Sequence, residues 1–245
     1  MISRIVLCET DQTEITRVRN PLPACGGVEP ESLAEVRLFA PLAFHRRLLR
    51  AVTASDYGDL AGTTQGVQRA AASLTWTGSW YEADVALDPL GAEGTSPQLG
   101  RRVAERLFAF RRIGHDVRVG GAEYVAIDLA LRICVLPHYL RGEVEKAVLD
   151  VLSTRTLPSG RKGFFHPDNL TFGGEVALSA VVALVQGIEG VQSVECRRFE
   201  RLGEGDHGEL ARGTLRLGPF EIARLDNDAR RPENGRLTLE LRGGR

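Results

Sequence analysis

The residues best suited to acid–base chemistry are an adjacent histidine and aspartate, His115 and Asp116, which directly follow Gly114. An imidazole beside a carboxylate can transfer protons near neutral pH, so a small hydrolase is one hypothesis for this chain. We favour another interpretation, in which the pair caps the end of a preceding helix, where positive charge complements the helix dipole. A catalytic role would require a third polar group that meets both side chains in a pocket. The sequence has no G-x-S-x-G motif, which weakens the hydrolase hypothesis.

The other histidines and the cysteines do not form a metal-binding pattern. Zinc sites need several ligands at short, characteristic spacings such as C-x-x-C or H-x-x-x-H, and neither spacing occurs. Two of the cysteines fall in apolar strand patterns, so we expect them to be buried thiols, and we expect no disulfide framework. The residues concerned are His45, His138, His166, His207, Cys8, Cys25, Cys134 and Cys196.

Paired glycines at 26–27, 120–121 and 173–174 suggest phosphate-binding loops only superficially. None belongs to a G-x-x-x-x-G-K-[ST] motif, and turns explain them better. We therefore predict that the chain is not an enzyme. We also predict no catalytic residue, no cofactor-binding residue, no metal ligand and no cofactor.

The charge balance indicates no global attraction to nucleic acid or to an anionic membrane. The 31 basic and 32 acidic residues give a net charge of −1, and 43% of residues are hydrophobic, which is typical of a globular protein. No run approaches the roughly 18 apolar residues of a membrane span. The apolar stretch at residues 1–8 is too short for a secretory signal, so we expect synthesis in the cytoplasm.

Nucleic-acid binding by a basic helix, predicted at residues 97–113, is the strongest alternative function. Arginine suits phosphate contacts, but Glu105 interrupts the basic series and no stacking aromatic residues interleave with it. We favour a solvated or subunit-facing surface whose arginines pair with acidic patches on a neighbouring subunit. The arginines are Arg101, Arg102, Arg106, Arg111 and Arg112.

Hydrophobic periodicity predicts an α+β fold with mixed sheets and packed helices. Residues 1–62 are predicted to contain a strand at 1–7, a Pro/Gly loop and two short helices. The first helix, at 31–50, should break or kink at Pro41. The second should be capped by Thr53 or Ser55.

A β-β-α-β unit is predicted next, followed by a second, smaller α+β region. The unit comprises strands at 67–77 and 81–88, a helix from Pro97 to about 113, and a strongly alternating strand at 125–135. The second region should contain a helix at 142–154, a loop at 158–174 and a helix at 175–186 that is apolar nearly all round and therefore buried. Four strands close the chain near 191–202, 213–217, 221–225 and 237–241. We predict domains at 1–62, as a linker from a missing upstream domain, 63–140 and 141–245.

Several segments that connect the predicted helices and strands have distinctive sequences. They are N-P-L-P-A-C-G-G-V-E-P-E-S at 20–32, A-P at 40–41, R-A-V-T-A-S-D-Y at 50–57, W-T-G-S-W at 76–80, G-F-F-H-P-D at 163–168, T-F-G at 171–173, D-N-D at 226–228 and G-G at 243–244. In their joint order and spacing they resemble the baseplate J-like assembly proteins of contractile phage tails and extracellular injection systems. The resemblance extends from about Val18 to Arg245.

The resemblance implies a structural wedge subunit of a baseplate. Relatives form dimers, with themselves or a paralogue, that join into a sixfold ring around the spike and hub, beneath the sheath. It implies cytoplasmic assembly into the particle, and no membrane or specific nucleic-acid partner. Relatives are usually longer, so we expect this chain to be the C-terminal portion, as a short homologue, a mis-started gene product or a fragment. Phage, bacteriocin and injector all stay open as the parent machine.

Two features suggest how such a subunit would work. Loops rich in Gly, Pro, Asn and Asp hold a fixed shape on which neighbours can dock, and we expect the loop 158–174 to be one of the joints. Trp76, Trp80 and Tyr81 cluster at one hairpin. We favour the interpretation that these rings cap the domain's own core, with an interface core as the alternative.

Overall fold

The computed structural model describes residues 30, 32–46, 48–92, 94–158 and 160–245. The chain divides into two compact units, Met1–Arg47 and Leu48–Arg245. The strand predicted at 1–7, the loop at 20–29, Cys8 and Cys25 lie outside the described residues, as does the side chain of His45.

In the first unit the described residues form helix α1, Leu33–Arg46. The amide of Glu35 donates to the Ser32 hydroxyl and the Glu35 carboxylate accepts from the Ser32 amide, so two exposed amides at this end are satisfied. The helix continues through Pro41, so of the predicted break or kink the break is wrong, and the kink stays a prediction. A proline removes one backbone hydrogen bond, and the bonds on either side can still carry the helix through it.

The second unit begins with helix α2, Ala54–Gly62, which starts where the sequence predicts. Thr53 is the capping residue: its hydroxyl accepts from the Asp56 amide, and the Asp56 carboxylate accepts from the Thr53 amide at 2.8 Å. This reciprocal pair satisfies two amides that have no partner within the helix. The helix buries Tyr57, Leu60 and Ala61.

A three-stranded sheet comes next, built from β1 (Val67–Trp76), β2 (Tyr81–Pro89) and β3 (His115–Gly121). Strands β1 and β2 form an antiparallel hairpin, and β2 pairs with β3 in parallel. Helix α3, Pro97–Phe110, connects β2 to β3 and starts at Pro97 as predicted, and the Ser96 hydroxyl caps it by accepting from the Leu99 amide. Its buried residues join those of α2 and β2 in one hydrophobic cluster that includes Tyr57, Leu60, Val85, Leu87, Leu99, Val103 and Leu107.

Strand β3 was not predicted, and it completes the first sheet in place of the predicted fourth element. The alternating strand does form, as β4, Glu123–Val135, but it lies at the centre of a second sheet. There it pairs with β6 (Val191–Arg201) on one side, and with β8 (Glu221–Arg224) and β9 (Arg236–Gly243) on the other. The predicted membership of this strand in a β-β-α-β unit is therefore wrong, because periodicity identifies a strand without identifying its partner.

The second sheet is covered by helices α4 (Arg141–Val151) and α5 (Leu178–Gln186). The helix predicted at 175–186 begins three residues late, because residues 175–177 form strand β5 and pair with β7 (Thr214–Arg216). It is also not buried all round, since only Val181 and Val185 are buried and Leu184 is exposed. A short helix α6, Glu209–Arg212, and 3-10 turns at Pro167–Asn169 and Pro232–Asn234 complete the elements.

The predicted α+β class is confirmed by these mixed sheets and their packed helices. Buried residues form one cluster around the first sheet and another around the second. The change from one sheet to the other falls between Gly121 and Glu123. The division into domains at 62 and 140 stays a prediction. Across the described ranges, no helix is long and apolar enough to cross a membrane.

Candidate interaction surface

His115 is a buried packing residue at the first position of β3. Its Nδ1 lies 3.0 Å from the hydroxyl of Tyr57, and that hydroxyl also accepts from the backbone amide of Arg112. Burial, together with the nearby Arg112 charge, lowers the pKa of His115 below its usual value. The neutral ring is thereby favoured, and its Nδ1 accepts from Tyr57.

Asp116 takes no part in this contact, so the acid–base hypothesis for His115 and Asp116 gains no support. Its side chain is mostly exposed and lies 3.9 Å from the guanidinium of Arg111. The helix-cap interpretation is wrong, because α3 ends at Phe110 and a strand begins at His115. The alternation of His115, Val117 and Val119 was the signal that could have revealed this strand.

The predicted absence of catalytic, cofactor-binding and metal-binding residues stays a prediction. Within the described ranges, no group of three or more His, Cys, Asp or Glu side chains is placed to hold a metal ion. Cys134 and Cys196 are free thiols that are only half-buried, so the expectation that both are buried is corrected. Desolvation nevertheless raises the pKa of Cys196 to about 11.

The outward face of α3 carries arginines whose charge is not neutralised within the described part of the chain. Arg101, Arg102 and Arg106 are exposed, and no ion pair links them to a carboxylate in the ranges that the structure describes. Glu105 shares this face without pairing to them. Arg112, in the turn after the helix, is exposed as well.

Arginines of the second sheet behave differently. Arg201 forms a bidentate ion pair with Glu221, in which its two guanidinium NH2 groups donate to the carboxylate oxygens at 2.6 and 2.9 Å. Arg198 and Arg236 both bind Asp128, which is buried. The positive charge of α3 is therefore a local property of one surface, even though the chain as a whole is almost neutral.

Large apolar side chains lie exposed at the C-terminal end of α3. Phe108 is 61% exposed and Ile113 is 95% exposed. The guanidinium of Arg111 stacks 3.9 Å from the centre of the Phe108 ring and donates to the carbonyl of His115 at 2.6 Å. These contacts fix the end of the helix against β3.

The hairpin aromatics Trp76, Trp80 and Tyr81 lie at the same end of the first sheet. Tyr81 is paired with His115 across the β2–β3 register, and the ring centres of Trp76 and Tyr81 are 5.1 Å apart. All three side chains are about half exposed and lie outside the hydrophobic core. The interpretation that they cap the core stays a prediction.

These residues together are an arginine–aromatic surface on the first sheet and its helix. We use this name for Arg101, Arg102, Arg106, Phe108, Arg112, Ile113, Trp76, Trp80 and Tyr81. The path from the hairpin to the helix runs through the rings of Tyr81 and His115, which are 5.8 Å apart, and then through Arg111 to Phe108.

A cavity of about 900 Å³ separates the two sheets, and two of the unusual loops, at 163–168 and 226–228, meet at its wall. Gln68 donates to the carboxylate of Asp168 at 2.6 Å, and Arg69 donates to the backbone carbonyls of residues 167 and 168. Tyr124 donates to buried Asp88 at 2.9 Å, and burial raises the pKa of that carboxyl. The loop 163–168 thus attaches the first sheet to the second.

Residues 49–120 match the family described as the baseplate J-like central domain. This range contains α2, the first sheet and α3, and hence the whole arginine–aromatic surface. The resemblance to the baseplate J-like family, predicted from the loop segments, is confirmed over these residues. No curated protein matches the chain.

Among solved structures, the fold is similar to that of a chain in the cryo-EM structure of the anti-feeding prophage (AFP) baseplate, sixfold symmetrised. The TM-score is 0.51 at 18% sequence identity, so the similarity is one of fold. The match covers 84% of this chain and 44% of that chain. This chain therefore spans less than half the length of the one it matches.

Proposed function

We propose that this chain, with its baseplate J-like central domain at residues 49–120, is a structural component of the baseplate of a contractile phage tail or tail-like injection system. The match of that domain is the observation that carries the proposal. The fold similarity to a chain of a sixfold-symmetrised baseplate agrees with it. In this role the protein assembles in the cytoplasm and then forms part of the particle.

A finer proposal is that the chain is a wedge subunit in the ring around the spike and hub, paired with itself or a paralogue. The arginine–aromatic surface supports contact with another protein of that ring. It combines exposed aromatic rings with arginines that have no carboxylate partner in the described ranges, and both residue types are enriched in protein interfaces. A subunit that works alone has no need of such a surface.

The mechanism we propose is mechanical, with no chemical step. The second unit has its two sheets joined by the loop 163–168 through Gln68 and Arg69, so a force applied to one sheet is transmitted to the other. A change of baseplate state would then occur at contacts between subunits, where several modest interfaces favour one arrangement or another.

Deleting the gene from the source organism tests the proposal. Particles purified from the deletion strain should lack an assembled baseplate in electron micrographs, and the wild-type gene supplied in trans should restore it. Mass spectrometry should find the chain in wild-type particles. The proposal fails if the deletion strain makes particles with intact baseplates, or if wild-type particles lack the chain.

A further inference from the structure

We infer that the arginine–aromatic surface binds an acidic protein surface with apolar side chains at its centre, carried by another baseplate protein. The inference rests on the proposed function for the identity of the assembly. The choice of surface and the chemistry of the partner rest on the structure alone.

The charge of α3 gives the first argument. Most arginines of the second sheet have a carboxylate within ion-pair distance, such as Arg132, which lies 2.8 Å from Glu240. On α3 the guanidinium groups of Arg101, Arg102 and Arg106 repel one another without such a partner in the described ranges. Carboxylates on a partner would relieve this repulsion and form charge-assisted bonds, which specify the partner and its register.

The exposed apolar residues give the second argument. Single exposed apolar residues are common on protein surfaces. Here Phe108 and Ile113 are exposed at the end of α3 nearest His115, and three hairpin aromatics are half exposed at the same end of the first sheet. Several exposed apolar side chains in one region, close to arginine, are typical of an interface centre, where a few aromatic or aliphatic side chains contribute most of the binding energy.

The surface is also held rigid before any partner arrives. The guanidinium of Arg111 is fixed between the ring of Phe108 and the carbonyl of His115. The ring of His115 is in turn fixed by Tyr57 in α2. A surface already in its bound conformation loses little conformational entropy on binding, which favours a protein partner of complementary shape.

Nucleic acid fits the same surface less well. Binding of single strands requires aromatic rings that alternate with basic groups along the path of the backbone. Here the aromatic residues Trp76, Trp80 and Tyr81 lie at one end and the helix arginines at the other. Two carboxylates, Glu105 and Asp116, also lie exposed along that path.

Site-specific photocrosslinking in assembled particles tests the inference. The photoreactive residue p-benzoylphenylalanine replaces Phe108 or Ile113, and in a matched control it replaces Leu140, which is 51% exposed at the start of α4 beside the second sheet. We expect crosslinks from 108 and 113 to one other particle protein, at a segment rich in Asp or Glu and apolar residues. The yield should exceed that from position 140 by about tenfold.

Charge reversal shows whether the arginines take part. In the Phe108 crosslinking background, Arg101→Glu with Arg106→Glu should lower the yield by about tenfold, which corresponds to about 1.4 kcal/mol. Arg155→Glu with Arg230→Glu changes the charge equally at exposed positions elsewhere and should leave the yield unchanged. All four side chains are exposed, so unchanged circular dichroism should confirm folding of each variant.

Several outcomes would overturn the inference. They are crosslinks only from position 140, crosslinks to a second copy of this chain, crosslinks to a segment without carboxylates, and a yield that charge reversal does not change. A 30-base-pair DNA duplex that shifts in a gel with the wild type but not with the double arginine variant would favour nucleic acid instead. Particles that contain the chain but show any of these results leave the proposed function standing, whereas particles without the chain refute both.

Discussion

The hydroxyl of Tyr57 lies 3.0 Å from Nδ1 of His115, and this buried contact joins helix α2 to the first residue of β3. It connects two elements that are 58 residues apart in the chain. Through the carbonyl of His115 the same contact supports Arg111, and with it the exposed end of the arginine–aromatic surface.

This contact predicts a pH dependence of stability. The pKa of His115 is lowered in the folded protein, mainly by burial, so the unfolded chain binds the proton more tightly. Its contribution to stability is therefore complete above the unfolded pKa of about 6.5 and is lost progressively as the pH falls below that value. Urea unfolding at pH 7.5 and pH 5.0 should show a smaller difference for His115→Gln than for the wild type. The exposed His138→Gln is the control and should keep the wild-type difference.

Asp128 should be the most sensitive carboxylate of the second sheet. Burial tends to raise its pKa, but the hydrogen bonds from Arg236 and Arg198 outweigh burial and lower it. Its stabilising contribution is therefore present above the unfolded pKa and is lost as the pH falls through the folded value. We expect Asp128→Asn to lower the free energy of unfolding by about 1–3 kcal/mol, less than for a fully buried pair because both arginines are half exposed.

The control for that substitution is Glu240→Gln, because Glu240 also binds two arginines but is itself well exposed. Its effect should stay below about 1 kcal/mol. Denaturant titrations at pH 7 measure both variants. Equal losses would show that burial of Asp128 contributes nothing.

Gly163 lies at a position with no room for a Cβ atom. A Cβ atom at this position would lie 2.0 Å from the backbone carbonyl oxygen of Ser153, and a backbone atom cannot move aside cheaply. We expect Gly163→Ala to lower the free energy of unfolding by about 1–3 kcal/mol, as overpacking generally does. Gly142→Ala is the matched control, since a Cβ there meets nothing within 4 Å and should be neutral or stabilising. A thermal melt in which both variants match the wild type would contradict this geometry.

Cys196 should react slowly with thiol reagents while the protein is folded. Desolvation raises its pKa to about 11, so about one thiol in a thousand is ionised at pH 8, and the thiolate is the reactive form. Mass spectrometry of the peptide containing Cys196, after brief iodoacetamide treatment, should find little alkylation in buffer. The same treatment in 8 M urea supplies the control and should give extensive alkylation. Comparable labelling in both conditions would show that the thiol is not desolvated.

Most of the local structure could be predicted from the sequence, because it depends on residues close together in the chain. The start of α2 was predicted from the cap chemistry of Thr53 or Ser55, the start of α3 at Pro97, and β4 from six alternating apolar residues. The secondary-structure predictions failed where hydrogen bonding to a segment distant in the chain outweighed the local sequence pattern. Residues 175–177 continue an apolar helical pattern, yet they form a strand because β7 supplies the hydrogen-bond partner.

The candidate surface could be predicted only in part. The sequence predicted a solvated or subunit-facing surface for the arginines of α3, but for the hairpin aromatics an interface was only the alternative to capping the core. Their exposure, and their meeting through His115 and Arg111, could not be predicted from spacing, because β3 was not recognised. Once β3 pairs in parallel with β2, the hairpin and the C-terminal end of α3 must lie at the same end of the sheet, where both strands begin.

By itself, the sequence determined the α+β composition, the helix starts, the central strand of the second sheet and the resemblance to the baseplate J-like family. The tertiary structure alone decided which sheet that strand joins, which arginines find carboxylates and which aromatic rings stay exposed. The physical reason is the separation along the chain over which each interaction acts. Periodicity and capping act over a few residues, whereas the partner of Asp128 in β9 is 108 residues away, and only folding brings such groups together.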